Sequence, residues 1–87
     1  MIIAISKPTP DQIKQAESWP EWSKEPSEFP YHYDQTETCH ILSGRASVTA
    51  ADGQTFSFGA GDWVIFPKGL EATWKITETI RKKYHFS

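Results

Sequence analysis

One short segment of the chain places polar side chains where a small β protein usually has apolar ones. Residues 37–44 read Glu-Thr-Cys-His-Ile-Leu-Ser-Gly, a pattern typical of a strand that ends at a glycine turn. Because side chains alternate along a strand, Glu37, Cys39 and Ile41 share one face. A carboxylate and a thiol on an inner face are costly unless something there satisfies or uses them. We therefore expect the chemistry of this protein to lie in the interior of its fold.

Glu37 and Cys39 are the candidate catalytic residues. A Glu37 carboxyl buried among aromatic rings could act as a general acid or base. Alternatively, it is a structural carboxylate that pairs with Lys82 or is hydrogen-bonded to Tyr33 or Tyr84. A nucleophilic Cys39 would need a positive neighbour such as Lys82 to hold its thiolate. Alternatively, Cys39 is a small apolar filler, which is the usual role of a buried cysteine.

Aromatic residues elsewhere in the chain could line a pocket around these groups. Trp74 shares a face with Ala72, whose small side chain leaves room beside it, although core packing is the alternative role for Trp74. A mostly apolar pocket with a few placed polar groups is typical of a small-molecule site. A planar or ring-bearing polar ligand would suit such a pocket. The expected ligand-binding residues are Trp22, Tyr31, Tyr33, Trp74, Lys82 and Tyr84.

Short strands with glycine turns must position these residues. We expect an all-β fold in a single domain over residues 1–87, with an N-terminal strand and short helix in 1–20 and a barrel in 21–87. The helix begins at Thr9-Pro10, and prolines mark edge strands in the stretch that follows it. The later strands are expected at residues 36–42, 46–51, 55–58, 63–66, 71–77 and 79–86. The turns between them are expected at Ser43-Gly44, Asp52-Gly53 and Pro67-Lys68-Gly69.

The spacing of the glycines and of Glu37 also matches a known two-part pattern. Glu37 precedes Gly44 by six intervening residues, and Gly61 precedes Pro67-Lys68-Gly69 by five. The chain therefore resembles the cupins, and in particular the short single-domain cupins that are similar to the cupin unit of ureidoglycine aminohydrolase. This resemblance implies a jelly-roll β-barrel with a short N-terminal helix. It implies little about activity, because the fold carries many unrelated chemistries.

The resemblance also bears on metal binding. In metal-binding cupins two histidines two residues apart, one glutamate and a later histidine hold a divalent transition metal, a ligand set that suits Mn, Fe, Ni or Zn. Here Ala72 occupies the position of the later histidine. The earlier pair falls on Tyr31 and Tyr33, or on Pro30 and His32 if the loop is one residue longer. We therefore expect no tightly held metal and no cofactor.

Charge and composition indicate which kinds of partner and which location the protein has. A net charge of −2 over 87 residues provides no basic face for a nucleic acid. The apolar stretch Met1–Ile5 is too short for a signal peptide or a membrane anchor. A single cysteine excludes an internal disulfide and suits a cytoplasmic location. The same apolar stretch could add to the edge of a sheet, either its own or that of a second copy, so we expect a homodimer.

Three hypotheses for function remain at the level of sequence. The first is a cupin-fold protein that binds a small polar or nitrogen-containing metabolite inside the barrel without a tightly held metal; whether it turns that molecule over is left open. The second is a metal-dependent enzyme of aminohydrolase, isomerase or dioxygenase type, with a divalent transition metal in a non-standard site of Glu37, His32 and Tyr33. The third is a non-catalytic dimeric structural module.

Overall fold

The computed structural model describes residues 2–87. They form seven strands and one short helix, so the predicted all-β fold with an N-terminal helix is confirmed. Met1, which we included in the apolar N-terminal stretch, lies outside the described residues. The elements are β1 (Ala4–Ser6), α1 (Pro10–Ala16), β2 (Glu21–Lys24), β3 (Ser27–His32), β4 (Glu37–Ala50), β5 (Thr55–Gly59), β6 (Trp63–Phe66) and β7 (Glu71–Phe86).

Two long antiparallel strands, β4 and β7, organise the fold. They contain 14 and 16 residues and pair with each other over most of their length. The first part of β4 also pairs with β6, and its second part pairs with β5. Strand β7 likewise pairs with β3 through its first part and with β2 through its second. Two sets of strands, β1-β6-β4-β7-β2 and β5-β4-β7-β3, therefore share the long pair.

The predicted turn at Ser43-Gly44 is wrong, because β4 continues through it. The register between β4 and β7 instead shifts at three places between Ile41 and Ala46, and Gly44 has a φ of 90°. Such a bulge bends a strand and increases its twist, which lets one strand contribute to both sets. The predicted break between the strands at 71–77 and 79–86 is also wrong, because β7 runs from Glu71 to Phe86 without interruption. A turn and a bulge both favour glycine at positive φ, so the local sequence does not distinguish them.

The remaining local predictions agree with the structure. The Thr9 hydroxyl accepts a hydrogen bond from the Gln12 N–H at 3.2 Å, and the Gln12 side chain accepts one from the Thr9 N–H at 2.9 Å, a capping box that starts α1. The proline-flanked strands β2 and β3 pair only with β7, as edge strands do. Gly53 and Gly69 have φ values of 92° and 90°, as their turns require.

The N-terminal strand joins the sheet of its own chain. Ala4 lies opposite Ile65 in an antiparallel pairing of β1 with β6, and Ala16 at the end of α1 is buried. Residues 2–87 contain no helix that is long and apolar enough to cross a membrane.

The inner faces of the long strands form the core, in the register that we predicted. Glu37, Cys39 and Ile41 are buried, whereas Thr38 and His40 between them are only partly so. The even-numbered residues of β7 are buried on the same face along most of that strand. The largest fully buried side chains are Trp74, Tyr33, Phe66, Ile41, Ile80, Val48, Val64 and Cys39. The period-two pattern therefore determined which side chains point inward.

Candidate ligand cavity

A cavity of about 180 Å³ opens among strands β2, β3, β4 and β7. All six residues that we expected to bind a ligand line it, together with Glu37, although their role in binding stays a prediction. Sequence reasoning did not assign Phe29 and Phe86 to the pocket. Their spacing could have predicted this, because Phe29 and Tyr31 are two residues apart on β3, as are Tyr84 and Phe86 on β7, and residues two apart on a strand share a face. The lining residues are Trp22, Phe29, Tyr31, Tyr33, Glu37, Trp74, Lys82, Tyr84 and Phe86.

A buried ion pair forms the polar part of the cavity wall. Lys82 Nζ donates to Glu37 Oε2 at 2.9 Å, and the two residues are only 6% and 3% exposed. The same Nζ lies 4.8 Å from the ring centroids of both Trp22 and Trp74. A lysine ammonium over an indole face is attracted by the negative face of the ring. Two indoles and one carboxylate therefore hold the ammonium in place.

The aromatic walls are fixed by contacts among themselves. Trp74 Nε1 donates to the Tyr33 hydroxyl at 2.9 Å, so the indole N–H has the partner that a buried tryptophan needs. Tyr33 stacks on Phe66 with ring centroids 5.0 Å apart, and Phe29 stacks on Trp74 at 6.0 Å. Burial, with the nearby Glu37 charge, raises the pKa of Tyr33 far above its usual range. The Tyr33 phenol is thus neutral and acts as wall and acceptor.

The mouth of the cavity is formed by more exposed rings. Tyr31 is 41% exposed and Phe86 is 36% exposed. Tyr31 meets the edge of Tyr33 at a centroid distance of 4.6 Å, and Phe86 meets Tyr84 at 5.6 Å. Burial, with the Glu37 charge, also raises the pKa of Tyr31. The rings at the rim are therefore more accessible to solvent than the buried rings Tyr33 and Trp74 below them.

Cys39 lies beside the ion pair but does not line the cavity. It is fully buried, and burial raises the pKa of its thiol well above the usual range, with Lys82 only partly opposing this effect. A neutral thiol without access to a ligand is not a nucleophile. This placement favours the alternative that Cys39 is an apolar filler, and its catalytic role stays an unsupported prediction.

The structure does not bring together the residues of the alternative metal site. The imidazole of His32 points to the surface, where its nitrogens lie 3.3 Å from an Asp34 carboxylate oxygen and 3.6 Å from a Glu71 oxygen. The alternation of β3 places His32 on the face opposite Tyr31, and therefore away from Glu37. Across residues 2–87, no group of three or more His, Cys, Asp and Glu side chains is arranged to hold a metal ion.

The fold has two sets of antiparallel strands that share the bulged pair β4–β7, and an aromatic cavity lies between strands of the two sets. This architecture is that of a cupin domain. The chain belongs to the family of EutQ-like cupin domains, whose model matches residues 12–84. This confirms the cupin part of the resemblance.

Solved structures agree with this assignment. A DUF861 family protein from Thermotoga maritima is 46% identical, with 99% of this chain and 100% of that chain aligned at a TM-score of 0.95. The Clostridium difficile EutQ protein is 18% identical over 76% of this chain and 52% of its own, with a TM-score of 0.70. A putative ethanolamine utilization protein from Salmonella typhimurium is 20% identical over 99% and 69%, also at 0.70. The two EutQ structures support the fold alone. No curated protein matches the chain in sequence.

Proposed function

We propose that this protein binds a small polar organic molecule in its cavity, without a tightly held metal. The observation that carries the proposal is the Glu37–Lys82 pair, which faces a cavity with an open mouth. A buried ion pair adds little stability over apolar residues of similar volume. Its presence in the wall of an open aromatic cavity is therefore better explained by a ligand that uses it.

The size of the cavity limits the ligand. Its volume of about 180 Å³ is smaller than the roughly 300–1,000 Å³ of sites for drug-sized molecules. A nucleotide or a large organic cofactor would not fit in it. The charged donor and the charged acceptor in one wall support a polar ligand, such as a nitrogen-containing metabolite.

The four tryptophans of the chain allow a direct test of this proposal. Trp22 and Trp74 line the cavity, whereas Trp19 and Trp63 contact each other outside it with centroids 5.5 Å apart. In titrations of ¹⁵N-labelled protein with a panel of small polar metabolites, a ligand should shift the indole N–H signals of Trp22 and Trp74. Single Trp→Phe variants assign the four signals.

The outer pair of tryptophans serves as the internal control for this titration. Their signals should stay unchanged when a ligand enters the cavity. If no compound in the panel moves the cavity signals at millimolar concentration, or if all four signals move alike, the proposal is wrong.

Metal content is a second expectation. Purified protein that has never met a chelator should contain well under one equivalent of transition metal. Ala72 stands where a histidine ligand would be needed, and Glu37 already pairs with Lys82. Elemental analysis measures this directly. A stoichiometric amount of Mn, Fe, Ni or Zn that disappears in Glu37→Ala would instead favour the metal-dependent enzyme.

The narrower resemblance to the ureidoglycine aminohydrolase-like cupins stays a prediction, as does the cytoplasmic location. That enzyme's reaction depends on metal ligands, and the matching positions here hold Ala72 and either Tyr31 and Tyr33 or Pro30 and His32. We therefore propose a binding function. Whether the protein also converts its ligand is to be measured by an activity assay once a ligand has been found.

We also propose that the protein is a homodimer. Strand β1 lies at the end of its sheet, and the nearby side chains of Ile2 and Ile5 are 77% and 38% exposed. An exposed apolar edge strand is a favourable site for pairing with a second sheet. Light scattering at tens of micromolar should give about twice the 9.9 kDa of one chain. A dimer that persists after deletion of residues 1–6 would place the interface elsewhere.

A further inference from the structure

We infer that the cavity selects an electrically neutral, planar ligand in which a carbonyl group adjoins an N–H group, as in a primary amide, a urea or a lactam. The inference rests on the proposed function, because it names the class of molecule that the Glu37–Lys82 wall would accept.

The charge balance of the cavity wall favours a neutral ligand. Among its lining residues, Glu37 and Lys82 are the charged ones, and they cancel each other at 2.9 Å. A ligand carboxylate would compete with Glu37 for the ammonium and add an uncompensated negative charge to a largely desolvated site. A ligand cation would compete with Lys82 in the same way. Charge is costly where water is excluded, so the intact pair favours a ligand without net charge.

The hydrogen-bonding groups of the ion pair favour a ligand that both accepts and donates. The Lys82 ammonium has three N–H donors, of which one reaches Glu37 Oε2, and the ammonium also lies over the rings of Trp22 and Trp74. A cation–π contact is weaker than a hydrogen bond from an ammonium to an oxygen, so a ligand carbonyl could accept an N–H that now faces an indole. The carboxylate can accept several bonds through its two oxygens. A donor and an acceptor therefore lie side by side in the wall. A carbonyl next to an N–H matches both at once. A ligand that offers only one of these groups leaves its counterpart in the wall without a ligand partner, which lowers affinity.

The aromatic rings around the ion pair favour a flat ligand. Trp22 and Trp74 flank the ammonium with their ring faces, and Tyr31, Tyr84 and Phe86 complete the approach from the mouth. Flat conjugated groups pack against aromatic rings with large contact area and little loss of conformational entropy. Amides, ureas and lactams are flat because their C–N bonds have partial double-bond character.

Ligands of matched shape test this inference in the wild-type protein. We would titrate 2-pyrrolidinone, cyclopentanone and pyrrolidine, which share a five-membered ring, and acetamide against acetate, following the indole signals of Trp22 and Trp74. The lactam should bind at least about tenfold more tightly than cyclopentanone or pyrrolidine, and acetamide more tightly than acetate. If the carboxylate or the amine binds best, the inference fails while the proposed function stands. If none of these probes binds but another polar metabolite does, the inference also fails alone. If nothing binds, both fail.

A charge-changing variant tests the stated cause of the selectivity. Glu37→Gln keeps the shape of the side chain but leaves the Lys82 charge without compensation, so the preference should invert and acetate should bind more tightly than acetamide. The matched control is Glu21→Gln, which removes the same charge from the exposed Arg81–Glu21 pair; its preference should remain that of the wild type. A folded Glu37→Gln protein that still prefers acetamide would overturn the inference. If that variant does not fold, the ranking of ligands by the wild type decides the question.

Discussion

Replacing Lys82 with methionine should lower the free energy of unfolding by about 3–5 kcal/mol. Methionine keeps much of the apolar volume of the lysine stem, so the main loss is the charge. The Glu37 carboxylate, 3% exposed, would then be left without its cation at 2.9 Å. Removing one partner of a buried pair is costly because the other charge stays desolvated and unpaired. Urea unfolding followed by circular dichroism at neutral pH measures the change.

Two further variants separate loss of pairing from loss of packing. The double variant Glu37→Leu/Lys82→Met removes both charges and should recover most of the stability, because apolar residues can replace a buried pair at little cost. Arg81→Met breaks the exposed Arg81–Glu21 pair instead and should cost less than about 1 kcal/mol. A Lys82→Met protein that is as stable as Arg81→Met would show that the cavity solvates the lone carboxylate.

The double variant also links stability to function. If it is as stable as the wild type but no longer shifts the Trp22 and Trp74 signals with any ligand, the pair serves binding rather than folding. Functional sites often keep groups that do not maximise stability. If the double variant still binds the wild-type ligand, residues other than Glu37 and Lys82 must recognise the polar groups of that ligand.

The second large effect is expected at the bulge of β4, where Gly44→Ala should prevent folding or cost more than about 4 kcal/mol. A Cβ at Gly44 would overlap the Thr79 carbonyl oxygen and would lie 2.7 Å from the Ile80 Cα. Both atoms belong to the backbone of β7, so no side chain can rotate to relieve the contact. The alanine must also adopt a φ of 90°, which side chains disfavour. Far-UV circular dichroism and urea unfolding report the outcome.

Gly53 and Gly61 provide the matched controls for this prediction. They have φ values of 92° and 90°, but a Cβ at either position would meet nothing within 4 Å. Gly53→Ala and Gly61→Ala should therefore cost only the backbone strain, about 1–2 kcal/mol. If Gly44→Ala costs no more than these two, the close approach of β7 is not what requires glycine in the bulge.

Much of the site could be predicted from the chain because strands impose a period of two. Glu37 and Lys82 lie inward for the same reason as Trp74, which is that each is an even number of residues from a core position on its strand. The residues at the metal-ligand positions of other cupins, Ala72 and either Tyr31 and Tyr33 or Pro30 and His32, can also be read from the sequence, although the absence of a tightly held metal stays a prediction. These features depend on residue type and spacing alone.

The sequence by itself therefore determined the fold class, the inward faces of the strands and the types of side chain that line the cavity. Only the tertiary structure decided which of these side chains meet. Glu37 and Lys82 are 45 residues apart, and their pairing depends on the register of β4 against β7. Cys39 shares the inward face of Glu37, yet packing placed it behind the cavity wall. Gly44 lies in a bulge rather than a turn because β7 continues past it. The two strands meet there through Gly44 and Thr79, which are 35 positions apart, and the conformational preferences of neighbouring residues cannot predict such a contact.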